Sequence, residues 1–180
     1  MSIRDEIVTR YGPKTLRKSA MNIRGGAGVF ERVLKGKGIK VALEIGTYKG
    51  CATAEIAQYC ERVITIDLKH GKIELNGEVW NRYAFWDSLG VHNVALHLVK
   101  DDAEKKSLVD SLDFDFAFID GAHDRAGVAL DFELTKRCGR VLFHDYDKRP
   151  AGKPQDVCDF VNTLPKHQIE VMDIFALWTP

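Results

Sequence analysis

Short apolar runs alternate along the chain with longer segments that carry apolar residues at helical spacing. Runs that are apolar on both faces are typical of strands in a parallel sheet that helices cover. Five such runs span residues 40–45, 62–67, 94–99, 114–119 and 140–144. Two more runs follow, and they lie so close together that they predict an antiparallel hairpin; they span residues 168–172 and 174–178.

The segments between the runs predict helices over residues 3–10, 22–37, 49–60, 71–89, 104–112, 125–137 and 153–164. Strands that alternate with helices build a mainly parallel, doubly wound sheet. We therefore predict an α/β fold: a single-domain, Rossmann-like, seven-stranded sheet with helices on both faces and a C-terminal antiparallel hairpin. Residues 39–180 form the core in this interpretation, and residues 1–38 form a helical segment that packs on the core or caps it.

A glycine turn follows the first apolar run. Glu44 lies at the end of the run, Gly46 follows, and Gly50 opens the next helix. This pattern is typical of nucleotide binding, because glycine permits close approach to the backbone and a helix N-terminus offers free N–H groups. The second run ends in Asp67, about 20 residues after Gly46, which is the spacing of a ribose-binding carboxylate. The alternatives are a purely structural turn and an aspartate that caps a helix or ends a strand in solvent.

The composition is that of a globular protein. The chain has 180 residues, of which 45% are hydrophobic and 29% charged, and this suits one domain with its own core. No apolar run approaches the roughly 20 residues of a membrane span, and the N-terminus lacks the apolar segment of a signal peptide. The four cysteines show no CxxC spacing, so reduced thiols are the simplest interpretation. We expect a cytoplasmic protein with no membrane partner.

Positive charge is concentrated near the N-terminus. Residues 1–40 hold ten Lys/Arg and three Asp/Glu, although the net charge of the whole chain is zero. This segment could contact an acidic substrate, a nucleic acid or the protein's own acidic face, and a solvated helical face would explain it as well. There is no arginine-rich tract and no interleaving of aromatic residues, so a nucleic-acid partner is not favoured.

Acidic and imidazole side chains follow the last two predicted parallel strands. Asp120 and His123 come after the fourth run, and His144 and Asp145 come at the end of the fifth. The carboxyl ends of parallel strands share one edge of the sheet, where ligands bind. We therefore expect these residues to meet the carboxylates that end the first two runs. Carboxylates crowded on one edge call for a cation, supplied either by the ligand or by a divalent metal.

Several segments resemble one family. The glycine turn resembles motif I of the class I S-adenosylmethionine (SAM)-dependent methyltransferases. More selectively, Ile119-Asp-Gly-Ala-His123, Asp131-Phe-Glu-Leu134 and Val141-Leu-Phe-His-Asp-Tyr146 resemble methyltransferase family 24. This group is related to metal-dependent O-methyltransferases and to sugar O-methyltransferases. The resemblance covers roughly residues 40–147, which is most of the predicted core.

The resemblance implies that SAM is the cofactor. Its methionine part would contact the glycine turn, its ribose Asp67, and its adenine amino group Asp102. Asp101 stands where the family pattern usually has a glycine. The full set of cofactor-binding residues implied in this way is Glu44, Gly46, Thr47, Tyr48, Gly50, Asp67, Leu68, Asp102, Ala103 and Asp120.

The resemblance also implies a divalent metal, magnesium or manganese, at Asp120, His144 and Asp145. In metal-dependent relatives, acids that end these two strands hold magnesium, and His144 stands where some relatives carry an acid. Imidazole is a softer ligand that magnesium uses rarely. Manganese or zinc, or no metal at all, is therefore better matched to His144 than magnesium is.

The expected reaction is transfer of the SAM methyl group to a hydroxyl of a small molecule or a sugar. The hydroxyl must lose its proton, and we assign catalysis to Asp120, His123 and His144, with either histidine as the general base. A metal could instead lower the pKa of the hydroxyl. The structural alternatives are that His123 caps the helix that follows it and that His144 packs at the end of its strand.

Motifs of nucleic-acid methyltransferases are absent. The sequence has neither Asp/Asn-Pro-Pro-Tyr/Phe nor a Pro-Cys pair, which argues against amino-directed and cytosine C5 methylation. Two other interpretations stay open: a methyltransferase of a macromolecule that the basic N-terminal segment docks, and a non-catalytic SAM-fold partner protein. Since no long insertion covers the sheet, we expect a pocket that is open or that a second subunit of a homo-oligomer completes.

Overall fold

A seven-stranded mixed sheet forms the centre of the molecule, in a computed structural model that describes residues 1–17, 19–21, 28–69, 73–75, 78–146 and 156–180. In chain order the strands are β1 (Val41–Ile45), β2 (Arg62–Leu68), β3 (Glu74–Leu75), β4 (Glu78–Val79), β5 (Val94–Val99), β6 (Phe116–Ile119), β7 (Val141–Phe143), β8 (Ile169–Met172) and β9 (Phe175–Trp178). The large sheet has the order β5-β2-β1-β6-β7-β9-β8, and β3 pairs with β4 separately. Strands β5, β2, β1, β6 and β7 are parallel, whereas β9 is antiparallel to both of its neighbours.

Helices cover both faces of the sheet. Those in the described segments are α1 (Ile3–Tyr11), α2 (Val29–Leu34), α3 (Cys51–Ile56), α4 (Arg82–Ser88), α5 (Asp102–Asp110), α6 (Arg125–Thr135) and α7 (Asp156–Val161). The first four pack into one apolar cluster, and the last three pack into clusters on the opposite face. The predicted α/β fold with its C-terminal antiparallel hairpin is confirmed. None of the helices in the described part of the chain is both long and apolar enough to cross a membrane.

The apolar runs are strands because both of their faces are buried. In β6, Phe116 and Phe118 point into the cluster beneath α1 to α4, whereas Ala117 and Ile119 point into the cluster beneath α6 and α7. All four side chains are buried. A strand with two buried faces has no polar side to show, so it appears in the sequence as a continuous apolar run.

The prediction of one helix over residues 71–89 is wrong. Its first part contains the ribbon of β3 and β4, and α4 begins only after Asn81, whose side chain accepts a backbone N–H of the first turn at 3.1 Å. Asparagine is a favoured helix N-cap for this reason. Trp80 precedes α4 and Trp86 lies within it, and the indole N–H groups of both donate to carbonyls of the glycine turn at 2.9 Å. These hydrogen bonds join this segment to the turn after β1.

Two predicted helices begin outside the described residues. The helix predicted over residues 22–37 starts in the segment 22–27, and the described part of it is α2. The helix predicted over residues 153–164 likewise starts outside, and its described part is α7.

The N-terminal segment contributes to the core. Ile7, Leu16 and Met21 are buried in the same apolar cluster as α3 and α4. The ring of Tyr11 meets that of Phe85 edge to face, with centroids 5.3 Å apart. These contacts place α1 and the turn after it against the face of the sheet that α3 covers.

Several basic side chains of this segment have acidic partners. Arg10 lies 2.6 Å from Glu6, and Lys35 lies 2.6 Å from Glu31. Arg32 bonds Glu170 on β8. These exposed ion pairs offset part of the positive charge that the sequence concentrates here.

The register of the strands brings four of their carboxyl ends together. The residue after β1, Gly46, donates its N–H to the carbonyl of Ile66 on β2 at 2.8 Å. Asp120 donates its N–H to the carbonyl of Ile45 on β1 at 2.8 Å, and His144 donates to Ile119 on β6 at 3.1 Å. The residues that follow β1, β6 and β7 therefore lie side by side on one edge, together with the end of β2.

Candidate active site

The glycine turn after β1 packs against the neighbouring strand end. Gly46 has φ +101°, and a Cβ added to it would lie 2.2 Å from the carbonyl oxygen of Asp120. Gly50 has φ +82°, and its Cβ would lie 2.6 Å from the indole nitrogen of Trp86. Both positions need glycine because of protein atoms alone. The turn is therefore shaped first by its fit to β6 and α4.

Glu44 lies behind this turn and is fully buried. Its Oε2 accepts hydrogen bonds from Thr53 and Thr65, at 2.5 and 2.6 Å. The hydroxyl groups of Thr65 and Thr47 are 2.6 Å apart. Because Thr65 donates its own proton to Glu44, Thr47 is the donor in this second hydrogen bond. Burial raises the pKa of the Glu44 carboxyl to about 8, although the two threonine hydrogen bonds lower it. This differs from the expectation of a charged carboxylate at the edge of the sheet.

A cavity of about 500 Å³ opens at the carboxyl ends of β1, β2 and β5. Its volume is typical of pockets for small ligands. Among the predicted cofactor residues, Gly46, Asp67, Leu68 and Asp102 line it. The others lie in described segments outside its walls, and they are Glu44, Thr47, Tyr48, Gly50, Ala103 and Asp120.

Asp67 is the next-to-last residue of β2 and lies in the wall of the cavity. Its Oδ2 accepts the backbone N–H of Tyr48 at 3.1 Å and the guanidinium of Arg82 at 2.6 Å. Arg82 also donates to the carbonyl of Tyr48, so it joins α4 to both the glycine turn and Asp67. Its side chain is largely buried, at 14% exposure. Sequence reasoning missed Arg82, since nothing in the local pattern around it indicates a partner 15 residues away.

A buried ion pair forms another wall of the cavity. Lys105 on α5 lies 2.5 Å from Asp131 on α6 and 2.9 Å from Asp102 in the first turn of α5. Burial by itself lowers the pKa of Lys105, but the two carboxylates outweigh it and hold that pKa above its usual value. Asp101, where the family pattern has glycine, caps α5 by accepting the Glu104 N–H at 2.9 Å. Sequence reasoning missed the roles of Lys105 and Asp131.

The sequence contains a weak indication of the role of Asp131 but none for Lys105. Asp131 interrupts the apolar face of a predicted helix, and it appears in one of the segments that resemble family 24. A charged residue on a buried face requires a partner, and this reasoning could have raised the question. Lys105 stands among other charged residues and gives no such indication.

Four side chains meet beside the cavity, and we call them the strand-end cluster: Asp120, His123, His144 and Asp145. The Nε2 of His123 lies 2.8 Å from Asp145, and the Nδ1 of His144 lies 2.9 Å from Asp120. Each histidine also lies near the aspartate of the other pair, with 3.8 Å between His123 and Asp120 and 3.6 Å between His144 and Asp145. The structure thus brings together all the residues that the sequence assigns to catalysis and metal binding.

The two histidines have different environments. His144 is 11% exposed at its side chain and packs against the rings of Phe118 and Phe175. Burial by itself lowers the pKa of His144, but the hydrogen bond and charge of Asp120 hold it above its usual value. His123 is half exposed. The helix after it is capped by Asp124, which accepts the Gly127 N–H at 2.9 Å, so His123 is not the cap.

The strand-end cluster has the donor set of a cation site. One ligand atom from each of Asp120, His144 and Asp145 lies within 4.8 Å of the other two. Asp145 has φ +58°, a left-handed conformation that aspartate tolerates better than most residues. Strained backbone of this kind is frequent at functional sites.

The chain matches a known family over more than half of its length. The profile described as a methyltransferase domain, that of methyltransferase family 24, matches residues 43–146. These residues include the glycine turn, the cavity and the strand-end cluster. Together with this family match, the seven-stranded sheet with its glycine turn after β1 places the chain among the class I SAM-dependent methyltransferases. Within that class the chain belongs to methyltransferase family 24.

Solved structures share the fold. The O-methyltransferase from Bacillus cereus, in complex with S-adenosylhomocysteine (SAH), is 16% identical with a TM-score of 0.66, over 98% of this chain and 90% of that one. TomG from Streptomyces achromogenes, an O-methyltransferase involved in tomaymycin synthesis and solved with SAM, is 17% identical with a TM-score of 0.64, over 99% and 89%. SAH-bound PaMTH1 from Podospora anserina is 16% identical with a TM-score of 0.63, over 99% and 86%. A comparison with curated proteins found no match.

Proposed function

We propose that the protein transfers the methyl group of SAM to a hydroxyl oxygen of a small molecule or a sugar. The observation that carries this proposal is the adjacency of the cavity and the strand-end cluster. Gly121 lines the cavity, and its neighbour Asp120 belongs to the cluster. A methyl donor held in the cavity would therefore present its methyl group beside the ionisable groups that can deprotonate an acceptor. The solved O-methyltransferases of the same fold support this choice of reaction.

The charge of the cavity suits SAM. Its walls carry four aspartates and one lysine, and Arg82 pairs with the aspartate at the end of β2. The sulfonium and amino groups of SAM are cationic, so they gain from an acidic wall that would repel a pyrophosphate. Asp67 is placed to accept hydrogen bonds from the ribose hydroxyls, as carboxylates at this position of a doubly wound fold do.

His123 is the general base in this proposal. Its Nε2 lies 2.8 Å from Asp145, which can hold the ring in one orientation and in one tautomer. With the proton on Nε2 directed to Asp145, the lone pair is on Nδ1 and can take the proton of an acceptor hydroxyl. The half-exposed position of His123 leaves it within reach of a substrate, whereas His144 is held between two phenylalanine rings.

A divalent cation is compatible with the same cluster. Asp120, His144 and Asp145 would hold it, and two carboxylates with one imidazole suit manganese or zinc better than magnesium. Such an ion would supply Lewis acidity that lowers the pKa of the acceptor hydroxyl. Asp145 would then be a ligand of the ion and also the hydrogen-bond partner of His123.

The test combines binding with turnover. Calorimetry should detect SAH binding, and SAH release from SAM should be measured with a panel of catechols, phenols and sugars. His123→Gln should lower turnover by about 100-fold, in line with the usual worth of a general base. Its SAH affinity should stay within about twofold, because His123 lies outside the cavity walls.

His92→Gln is the matched control. His92 also lies near an aspartate, Asp87 at 3.5 Å, but it is exposed and stands in the loop before β5. Its variant should keep wild-type turnover. Absence of SAH binding would refute the cofactor, and SAH binding without turnover on any hydroxyl acceptor would favour a non-catalytic role. Equal turnover in wild type and His123→Gln would refute the base.

We do not favour a macromolecular substrate docked by the N-terminal segment. Basic side chains of that segment pair with Glu6, Glu31 and Glu170, and Arg4 donates to the carbonyl of Met21 at 3.2 Å. Each of these contacts uses charge or donors that a docked polyanion would need.

A further inference from the structure

The cavity has a middle and two different ends. The sheet order places β2 between β1 and β5, and Asp67 at the end of β2 therefore marks the middle. Toward β1 and β6 the cavity reaches Gly46 and Gly121, beside the strand-end cluster. Toward β5 it reaches Val99 and Asp102. If the ribose of a nucleoside lies at Asp67, its base and its 5′ substituent must lie at opposite ends.

The end near β5 has the surface that a purine base needs. Leu68, Val99 and Leu130 provide apolar walls for the faces of the ring. Asp102 stands among them with carboxylate oxygens, which accept hydrogen bonds and donate none. An exocyclic amino group on the base supplies a donor, whereas a carbonyl oxygen in its place would face the carboxylate unfavourably. The end near the strand-end cluster is left for the sulfonium.

Asp102 would be a poor selector if its side chain moved freely. The side chain is 65% exposed and lies in the first turn of α5, so solvent alone would let it change rotamer. Lys105 restrains it, because the Nζ atom lies 2.9 Å from Asp102 and 2.5 Å from Asp131. Lys105 and Asp131 are 7% and 0% exposed at their side chains, so neither can turn to water.

The restraint reaches beyond α5. The second oxygen of Asp131, Oδ2, is buried; besides Lys105, the carboxyl interacts only weakly with the backbone N–H of Ala122 among the described residues. Oδ2 lies 3.5 Å from where a Cβ of Gly121 would be, under the loop that follows β6. A buried carboxylate whose main partner is one cation depends strongly on that cation, so the pair is hard to separate. Asp131 on α6 therefore holds Lys105 in place, and Lys105 in turn holds Asp102 in place.

We propose that Lys105 and Asp131 are positioning residues that set the selectivity for a 6-amino purine by holding the Asp102 carboxylate against the base. The inference rests on the proposed function, because it takes SAM as the occupant of the cavity. It assigns to Lys105 and Asp131 no contact with the reacting atoms. A merely structural pair would change the stability of the fold or the affinity for every ligand, but it would leave the discrimination between bases unchanged.

The test compares SAH with S-inosylhomocysteine, in which a carbonyl oxygen replaces the amino group of the base. Calorimetry on the full chain should show that wild type prefers SAH by about tenfold or more, as expected for a hydrogen bond to a charged acceptor. Lys105→Met should reduce this preference to about threefold or less, and Asp102→Ala should abolish it. The double variant should then show no preference, so the loss caused by Lys105→Met depends on Asp102.

Lys106→Met is the matched control on the same helix. Lys106 is exposed and pairs with Asp110 at 2.5 Å. Its variant should keep the wild-type preference. Asp131→Asn preserves shape and removes the charge, and it serves as a second probe if Lys105→Met does not fold; its preference should fall below that of wild type.

The outcomes separate this inference from the proposed function. Failure of wild type to bind SAH refutes the proposed function itself. SAH binding with an unchanged preference in Lys105→Met and in Asp131→Asn overturns the inference alone. An equal loss of affinity for both ligands also overturns it, because that result describes a structural pair.

Discussion

Replacement of Gly46 by alanine tests the close packing on which the candidate site depends. The new Cβ would lie 2.2 Å from the carbonyl oxygen of Asp120 and 2.5 Å from its carbonyl carbon. Both atoms belong to the backbone, so no side-chain rotation can relieve the contact. The turn or the end of β6 must move, and the hydrogen bond of 2.8 Å from the Asp120 N–H to Ile45 is then weakened.

The cost can be summed from three parts. Alanine at φ +101° is strained by about 1–2 kcal/mol. Overpacking of a rigid contact costs about 1–3 kcal/mol, and a weakened backbone hydrogen bond about 1 kcal/mol. The sum is about 4 kcal/mol, which corresponds to a fall of about 12 °C in the melting temperature of a chain of this size.

Gly38→Ala is the control for backbone strain alone. Gly38 also has a positive φ, +70°, but nothing lies within 4 Å of its added Cβ. We expect a loss of about 1 kcal/mol and about 3 °C. Melting followed by circular dichroism compares the two variants. If Gly46→Ala melted within about 3 °C of Gly38→Ala, the close contact between the glycine turn and Asp120 would not exist as described.

Two further predictions concern ionisable groups. The folded pKa of Glu44 is about 8, above its ordinary value of 4.5, so the stability that its neutral form contributes is complete below about pH 4.5 and is lost as the pH rises through 8. Glu44→Gln should therefore gain stability relative to wild type between pH 5 and pH 8 in urea denaturation, and a difference that does not change with pH would contradict the buried neutral carboxyl. Manganese at about 100 times its dissociation constant should stabilise wild type by about 2.7 kcal/mol and raise its melting temperature by several degrees. Asp145→Asn keeps a side chain that tolerates positive φ, and this variant should lose most of the rise in melting temperature. The control Asp110→Asn should retain it. If wild type freed of metal by a chelator melted at the same temperature before and after manganese is added, the cation site would be refuted.

The sequence predicts the strands of the large sheet well, because nearly every residue of a strand that is buried on both faces is apolar. Phe116 to Ile119 are all apolar, since each faces one of two buried layers. The positions of Asp67 and Asp120 also follow, because the carboxyl ends of parallel strands lie at the common edge of the sheet. Asp102 is indicated only by the resemblance to family 24. Local pattern and position along a strand are therefore enough for the fold and for the edge of the sheet at which the cavity opens.

Pairing across the fold is what the sequence does not reveal. Arg82 reaches Asp67 because α4 packs beside the glycine turn, and Lys105 reaches Asp131 because α5 packs beside α6. No local spacing encodes either contact. The failed helix over residues 71–89 has a related origin, since Trp80 precedes α4 and its position is set by a hydrogen bond to the turn rather than by a helical face.

These pairings change the electrostatic reason for a cation at the edge of the sheet. The sequence indicates four carboxylates there, and mutual repulsion among four would demand a cation. Burial raises the pKa of Glu44 and keeps it largely neutral near pH 7, and Arg82 pairs with Asp67 at 2.6 Å. The demand for a cation therefore concerns Asp120 and Asp145, and imidazoles lie within 2.9 Å of both. A protonated imidazole and a metal ion are thus alternative ways to balance the same two carboxylates, which is why the manganese experiment, rather than a count of acids, decides between them.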